Sequence, residues 1–212
     1  MKIITRATAI KNLKPCIGKD LRSLAKQYGI TTFETGKQNK GWKGLVLERL
    51  AGLQTNVSKA PNGLDFELKS VSFYHTKNGL GPKETMAITM INQKELETHS
   101  FFKSHVWTKL KSIVFCAVAW HGENSPTAEL LSVACLDFAK DGDFIKELET
   151  DYDLIRHNFI TKGGFKSEYG KWIQARTKGQ GGINPRTGKK RPKTRAFYAR
   201  TQFVKKIFET AS

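Results

Sequence analysis

Residues 60–70 read APNGLDFELKS. Apolar and charged residues alternate along the stretch, which is the period of an extended strand. Side chains at i, i+2 and i+4 of a strand share a face. Leu64, Phe66 and Leu68 are therefore expected to pack inward, with Asp65, Glu67 and Lys69 clustered on the other side. Two purposes suit such a cluster. An exposed edge strand uses charge to stay soluble, and Lys69 would then guard against pairing with another edge. A metal-dependent phosphodiesterase needs the same residues for chemistry. Two close carboxylates repel each other, and a divalent cation relieves the repulsion. Hard oxygen ligands with positions left for water and phosphate suit Mg2+, which can activate water and polarise a phosphodiester. A lysine beside them adds positive charge where the transition state gathers negative charge.

Net charge favours the second purpose. The 212-residue chain carries 36 Lys and Arg against 19 Asp and Glu, a formal charge of +17. Self-repulsion on that scale is offset by attraction to a polyanion. Twelve of the basic residues fall between Lys171 and Lys206, where no Asp or Glu occurs. Trp172, Phe197, Tyr198, Phe203 and Phe208 accompany them, so this segment is expected to be partly folded. Duplex DNA and structured RNA both fit such a surface. An anionic membrane fits less well, because no basic amphipathic helix dominates the segment. No apolar run approaches the roughly 20 residues of a membrane span, and MKIITRATAIKNLK lacks the apolar core of a signal peptide. A cytoplasmic protein is expected. Cys16, Cys116 and Cys135 stand at no metal-ligand or redox spacing, so they read as small buried hydrophobes and zinc is not expected.

A chain of this length holds one full hydrophobic core, and a single domain over 1–212 is expected. Its N-terminal part, to about residue 55, reads as helical, and its basic part starts at about residue 160. TRATAIKNLK, GKDLRSLAKQYG and KGWKGLVLERLAG are the helical segments; in the third, Trp42, Leu45 and Val46 share a face and Gly52 is a stop. Strand-like runs follow: LDFELKSVSF, ETMAITMIN, SIVFCAVAW and LLSVACLDF, with TKNGLGPK as a turn between the first two. Residues 143–158 read as an amphipathic helix through Ile145, Leu148, Tyr152 and Ile155. GKWIQAR is a short strand, TKGQGGINPRTGKKRPKT a basic loop, and RAFYARTQFVKKIFET a strand leading into a helix. The pattern predicts a mixed α/β or α+β arrangement around one mostly hairpin-connected sheet.

KGWKGLVLERLAG, DFELKS, LGPKETMAITMIN, SHVWTKLKSIVF and TRAFYARTQFVKKI together resemble the MutH family in order and spacing, from Ile10 to Phe208. That family groups a mismatch-repair nickase with type II restriction endonucleases that cut at GATC. The resemblance implies the PD-(D/E)XK fold, a mixed central sheet flanked by helices. It implies that Glu48 supplies a helix carboxylate completing a metal site with Asp65 and Glu67, and that Lys69 and Lys109 are catalytic lysines. It gives Lys40 a place near the DNA in sensing adenine methylation, Arg176 a DNA contact and Tyr198 a place in the recognition region. The family aspartate usually lies further upstream of E-x-K; here either Asp65 or Asn62 holds its place, and Asp65, facing the same way as Glu67, is preferred.

Without the resemblance, Glu48 and Lys109 read as surface charge, Tyr198 as core and His105 as structural. With it, the chain reads as a Mg2+-dependent endonuclease with duplex DNA in a cleft between its helical and basic parts. Arg176 would read a guanine edge, and Lys178, Arg186, Lys189, Lys190, Arg191 and Arg195 would contact the DNA beside it. A type II restriction enzyme leaving 5′-phosphate ends is the first expectation, cutting both strands as a homodimer or by successive nicks. A repair nickase working with a repair-protein partner is the second. A nucleic-acid-binding module with a decayed active site is an alternative from another class. A structural RNA-binding protein explains the charge but not the D-x-E-x-K cluster.

Overall fold

The computed structural model describes residues 4–34, 37–39, 41–53, 66–77, 79–122, 124–136, 141–179, 181–183, 185–189 and 193–209. Lys40, Asn62, Leu64, Asp65, Asn78, Lys190 and Arg191 lie outside them. In chain order the elements are α1 (Arg6–Leu13), α2 (Leu21–Gln27), β1 (Phe33–Glu34), β2 (Lys37–Gln38), α3 (Trp42–Leu50), β3 (Glu67–Thr76), β4 (Gly79–Pro82) and β5 (Met86–Met90). They continue with α4 (Gln93–Thr98), α5 (His105–Ser112), β6 (Ile113–Ala119), β7 (Leu130–Ala134), α6 (Gly142–Lys162), β8 (Ile173–Lys178), β9 (Thr194–Ala199) and α7 (Thr201–Glu209). They form two compact units interleaved along the sequence.

The first unit comprises Met1–Glu84, Ser112–Leu136 and Lys205–Ser212. Its main sheet has the order β4-β3-β6-β7, with β3 and β6 parallel and the outer pairs antiparallel. Every residue of β6, IVFCAVA, is buried, as expected of a strand covered on both faces. Val114, Cys116 and Val118 join Phe66 and Leu68 in one core with Leu13, Leu21, Trp42 and Leu47 of the N-terminal helices. On the other face Phe208 packs edge-on to Phe73, ring centroids 4.9 Å apart, and against Phe115 at 6.4 Å. Local chemistry starts the helices where the sequence suggests. The Thr5 hydroxyl accepts from the Thr8 N–H at the head of α1, and Asp20 accepts from Arg22 N and Ser23 N at the head of α2. In α3, Trp42, Val46 and Leu47 are buried, while Leu45 is only half-buried.

The second unit comprises Thr85–Lys111 and Asp137–Val204. Its antiparallel sheet runs β5-β9-β8. Helix α6 covers one face, where Tyr152 stacks on Phe197 and Phe144 packs against Phe203 and Trp172. The expected helix over 143–158 is present and extends to Lys162, ending at Gly163 in the left-handed conformation.

The mixed α/β architecture with a mixed sheet flanked by helices is therefore present, but its connections differ from the expected hairpins. ETMAITMIN does not join the sheet of LDFELKSVSF; β5 pairs with β9 instead. The chain then runs through α4 and α5 before β6, and β6 lies parallel to β3. A parallel pair requires such a crossover, which a tight turn cannot provide. SHVWTKLKS accordingly forms helix α5, with Val106 and Leu110 buried one turn apart. Among the described residues no helix is long and apolar enough to cross a membrane.

Candidate active site

The alternation read from residues 60–70 holds where the structure describes it. Phe66 and Leu68 are buried, 3% and 6% exposed. Glu67 and Lys69 project to the opposite side and form an ion pair, Lys69 Nζ to Glu67 Oε1, with both side chains partly open to solvent. Further along β3 the buried set changes sides, because Val71 and Phe73 are buried and Ser70 is exposed. Glu67 and Lys69 thus share a face with Val71 and Phe73, and the far end of that face carries the Phe208 packing. One side of the charged pair is apolar core, where a charge interaction is screened less than in water.

Glu67 stands in register with Ile113 of β6. Lys109, half-buried in the last turn of α5, precedes that residue by one helical turn of sequence and belongs to the second unit. Glu48 is half-buried in α3, the helix packed on β3, whose Lys43 Nζ donates to Ser72 Oγ at 2.9 Å. Burial, and after it the charges of Lys83 and Arg22, hold the Lys43 ammonium below its ordinary value of 10.5, against the opposing pull of Glu84. Among the described residues no three His, Cys, Asp or Glu side chains gather as a metal-ligand group. Asp65, the third carboxylate of the expected set, lies outside them. The donors fit a hard divalent cation: Glu67 presents partly exposed carboxylate oxygens, and the candidate set contains no soft ligand.

The DNA-contact candidates fall on the sheet of the second unit and the loop between β8 and β9. Tyr198 lies opposite Gln174, and Arg176 follows two residues along β8, so all three share a face. The Arg176 guanidinium lies over the Tyr198 ring, 5.4 Å from its centroid, and Nη1 donates to Thr85 Oγ1 at 2.6 Å. Lys178 is exposed on the same face of β8, whereas Arg195, opposite Thr177, alternates to the other face. Arg186 and Lys189 are exposed in the loop. Lys40, Lys190 and Arg191 lie outside the described residues. Sequence reading missed Thr85. It sits within LGPKETMAITMIN, but a lone threonine in that run gives no signal of its partner 91 residues away.

A buried carboxylate holds the base of β8. Asp151, 5% exposed, accepts from the backbone N–H groups of Lys171, Trp172 and Ile173 at 2.7, 2.5 and 2.9 Å. Arg200 donates to the carbonyls of Gly170 at 2.9 Å and Ser167 at 2.7 Å. Gly170 is obligatory in this turn: its φ is +85°, and a Cβ would lie 2.0 Å from the Ile173 carbonyl oxygen. Glu95 accepts from both the backbone N–H and the ring of His105. The three cysteines are free, and burial pushes the Cys116 thiol up to about 12.

A mixed sheet flanked by helices, with an acid–lysine pair at the head of an inner strand, places the chain in the restriction-endonuclease-like class of folds. Residues 54–138 match the family model of the DNA mismatch repair enzyme MutH. The DNA mismatch repair protein MutH of Vibrio campbellii (strain ATCC BAA-1116) is 25% identical over 217 residues, covering 96% of this chain and 92% of that relative. The protein of the same name from Vibrio cholerae serotype O1 (strain M66-2) is 26% identical over 222 residues, covering 98% and 94%. The family model and both relatives make the chain similar to the MutH family of endonucleases and support that reading.

Proposed function

We propose that this protein is a divalent-metal-dependent endonuclease that cuts duplex DNA at a specific sequence. The observation that carries the reading is the Glu67–Lys69 pair on one face at the head of β3, in a chain similar to this family. Glu67 holds the Lys69 ammonium beside the place where a phosphate would enter. There the lysine can stabilise charge developing on the phosphate oxygens or orient the attacking water. When bound by Glu67 with Asp65 and Glu48, a cation such as Mg2+ supplies Lewis-acid polarisation of the phosphodiester. Lys109 adds a second positive charge in support. Arg176 reads a base edge beside Tyr198, and Lys178, Arg186 and Lys189 contact phosphates.

Within this class we favour a type II restriction enzyme, because LGPKETMAITMIN and KTRAFYARTQFVKKI resemble that branch of the family. A repair nickase is the second reading, favoured by the mismatch-repair name of relatives that match over nearly the full chain. The test uses one plasmid in adenine-methylated and unmethylated preparations, with Mg2+, against the wild type and Glu67→Ala. Cutting at a discrete site, absent in the variant, is expected, and the mapped ends reveal the sequence. Double-strand breaks favour restriction; nicks that require an added mismatch-repair partner favour repair. Plasmid bound by the wild type but left intact in Mg2+ and in Mn2+, with the partner present, would overturn the reading.

A further inference from the structure

Arg176 is an exposed arginine on the edge strand β8, yet its guanidinium is held at two points. Its Cζ lies over the ring of Tyr198 of the central strand β9, 5.4 Å from the centroid, and Nη1 donates to Thr85, the residue just before β5 on the opposite edge. The side chain therefore lies across the sheet. Ala87 makes room for it: this small residue stands opposite Tyr198 on β5 and, by alternation, shares the face with Thr85. With Nη1 engaged, the edge formed by Nε and Nη2 has no hydrogen-bond partner among the described residues. That edge carries two parallel N–H donors, the pattern that matches the O6 and N7 acceptors of guanine.

We infer that Thr85 is a positioning residue for base readout, fixing the Arg176 guanidinium so that its Nε–Nη2 edge meets a guanine. This rests on the proposed function, in which Arg176 contacts DNA. A long arginine side chain loses rotamer freedom when it forms a bidentate contact, and one already held loses less on binding. The Tyr198 ring lies under the guanidinium, and the bond to the Thr85 hydroxyl fixes which edge stays open. Phosphate contacts do not depend on this orientation. Loss of the hydroxyl should therefore affect sequence discrimination before overall affinity.

The test cleaves a pool of duplexes carrying a randomised window with wild type, Thr85→Val, Thr85→Ser and Arg176→Ala. The base read by Arg176 is the position whose preference disappears in Arg176→Ala. At that position Thr85→Val, which keeps the shape and removes the hydroxyl, should lose about tenfold in the kcat/KM ratio of guanine over other bases. Its affinity for non-specific duplex should stay within about twofold of wild type, and Thr85→Ser should restore discrimination. Full discrimination in Thr85→Val, an equal loss on every sequence, or a serine variant that behaves like valine would overturn the inference alone. A wild type that cuts without sequence preference would remove the base-reading function, and the inference with it.

Discussion

Single side chains differ in how far along the chain their partners lie. Glu67 and Lys69 meet because two residues of strand bring them to one face, which needs nothing beyond local geometry. Asp151 works differently, collecting three backbone N–H groups from residues 20 to 22 positions away. Replacing it with Ala leaves the buried Ile173 N–H and the part-buried Lys171 and Trp172 N–H groups without this acceptor, so Asp151→Ala should lower unfolding stability by about 3 kcal/mol, measured by urea titration. Asn keeps one acceptor oxygen and should cost less. The requirement at Gly170 has the same origin, because the turn that delivers the N–H groups to Asp151 leaves no space for a Cβ.

At the scale of elements, β3 is the strand that positions the site. Its buried residues lie on one face at Phe66 and Leu68 and on the other at Val71 and Phe73. The first pair packs with the helical layer, and Phe73 packs with Phe208 of α7. The helical layer is tied to the sheet at Asp20, which caps α2 and also accepts from Ala128 N at 2.7 Å. Burial pushes the Asp20 carboxyl up, but hydrogen bonds from the Ser23 hydroxyl and from the N–H groups of Ala128, Ser23 and Arg22 together hold it below its ordinary 3.8. A carboxyl depressed in the folded state favours folding while the pH stays above its unfolded value. That contribution fades as the pH falls through the folded value. The stability curve of Asp20→Asn should therefore be flatter than wild type on the acid side of about pH 4, read from thermal unfolding at a series of pH values. At neutral pH, Asp20→Ala should cost about 1 kcal/mol for the lost cap.

For the whole molecule, the surplus of 17 positive charges acts as a long-range field rather than as a fold determinant. The loop between β8 and β9 contributes to it through exposed Arg186 and Lys189, with Lys178 at the end of β8. Lys189→Ala should reduce the slope of log affinity against log salt by about one and leave the preferred sequence unchanged. A salt titration of duplex binding, repeated on preferred and altered sites, measures both quantities. On the proposed function the field would draw any duplex, while Arg176, held by Thr85 and Tyr198, would discriminate among sequences.

Much of this organisation is written locally. The period of α6, the helical segments of α1 and α2, the strand alternation at Phe66–Lys69 and the strand-to-helix ending were each legible, because a helix face and a strand face are set by residues within one or two turns. Pairing partners were not. Backbone donors and acceptors are alike in every strand, so the alternation in ETMAITMIN says that it is extended but not that it lies against β9 in place of β3. The same holds for Thr85 with Arg176 and for Asp151 with Lys171–Ile173, pairs distant in sequence that only packing brings together. The sequence alone determined which residues could carry charge and chemistry. The tertiary structure decided which strands they stand on and which side chains hold them, because those choices depend on buried surface shared between distant segments.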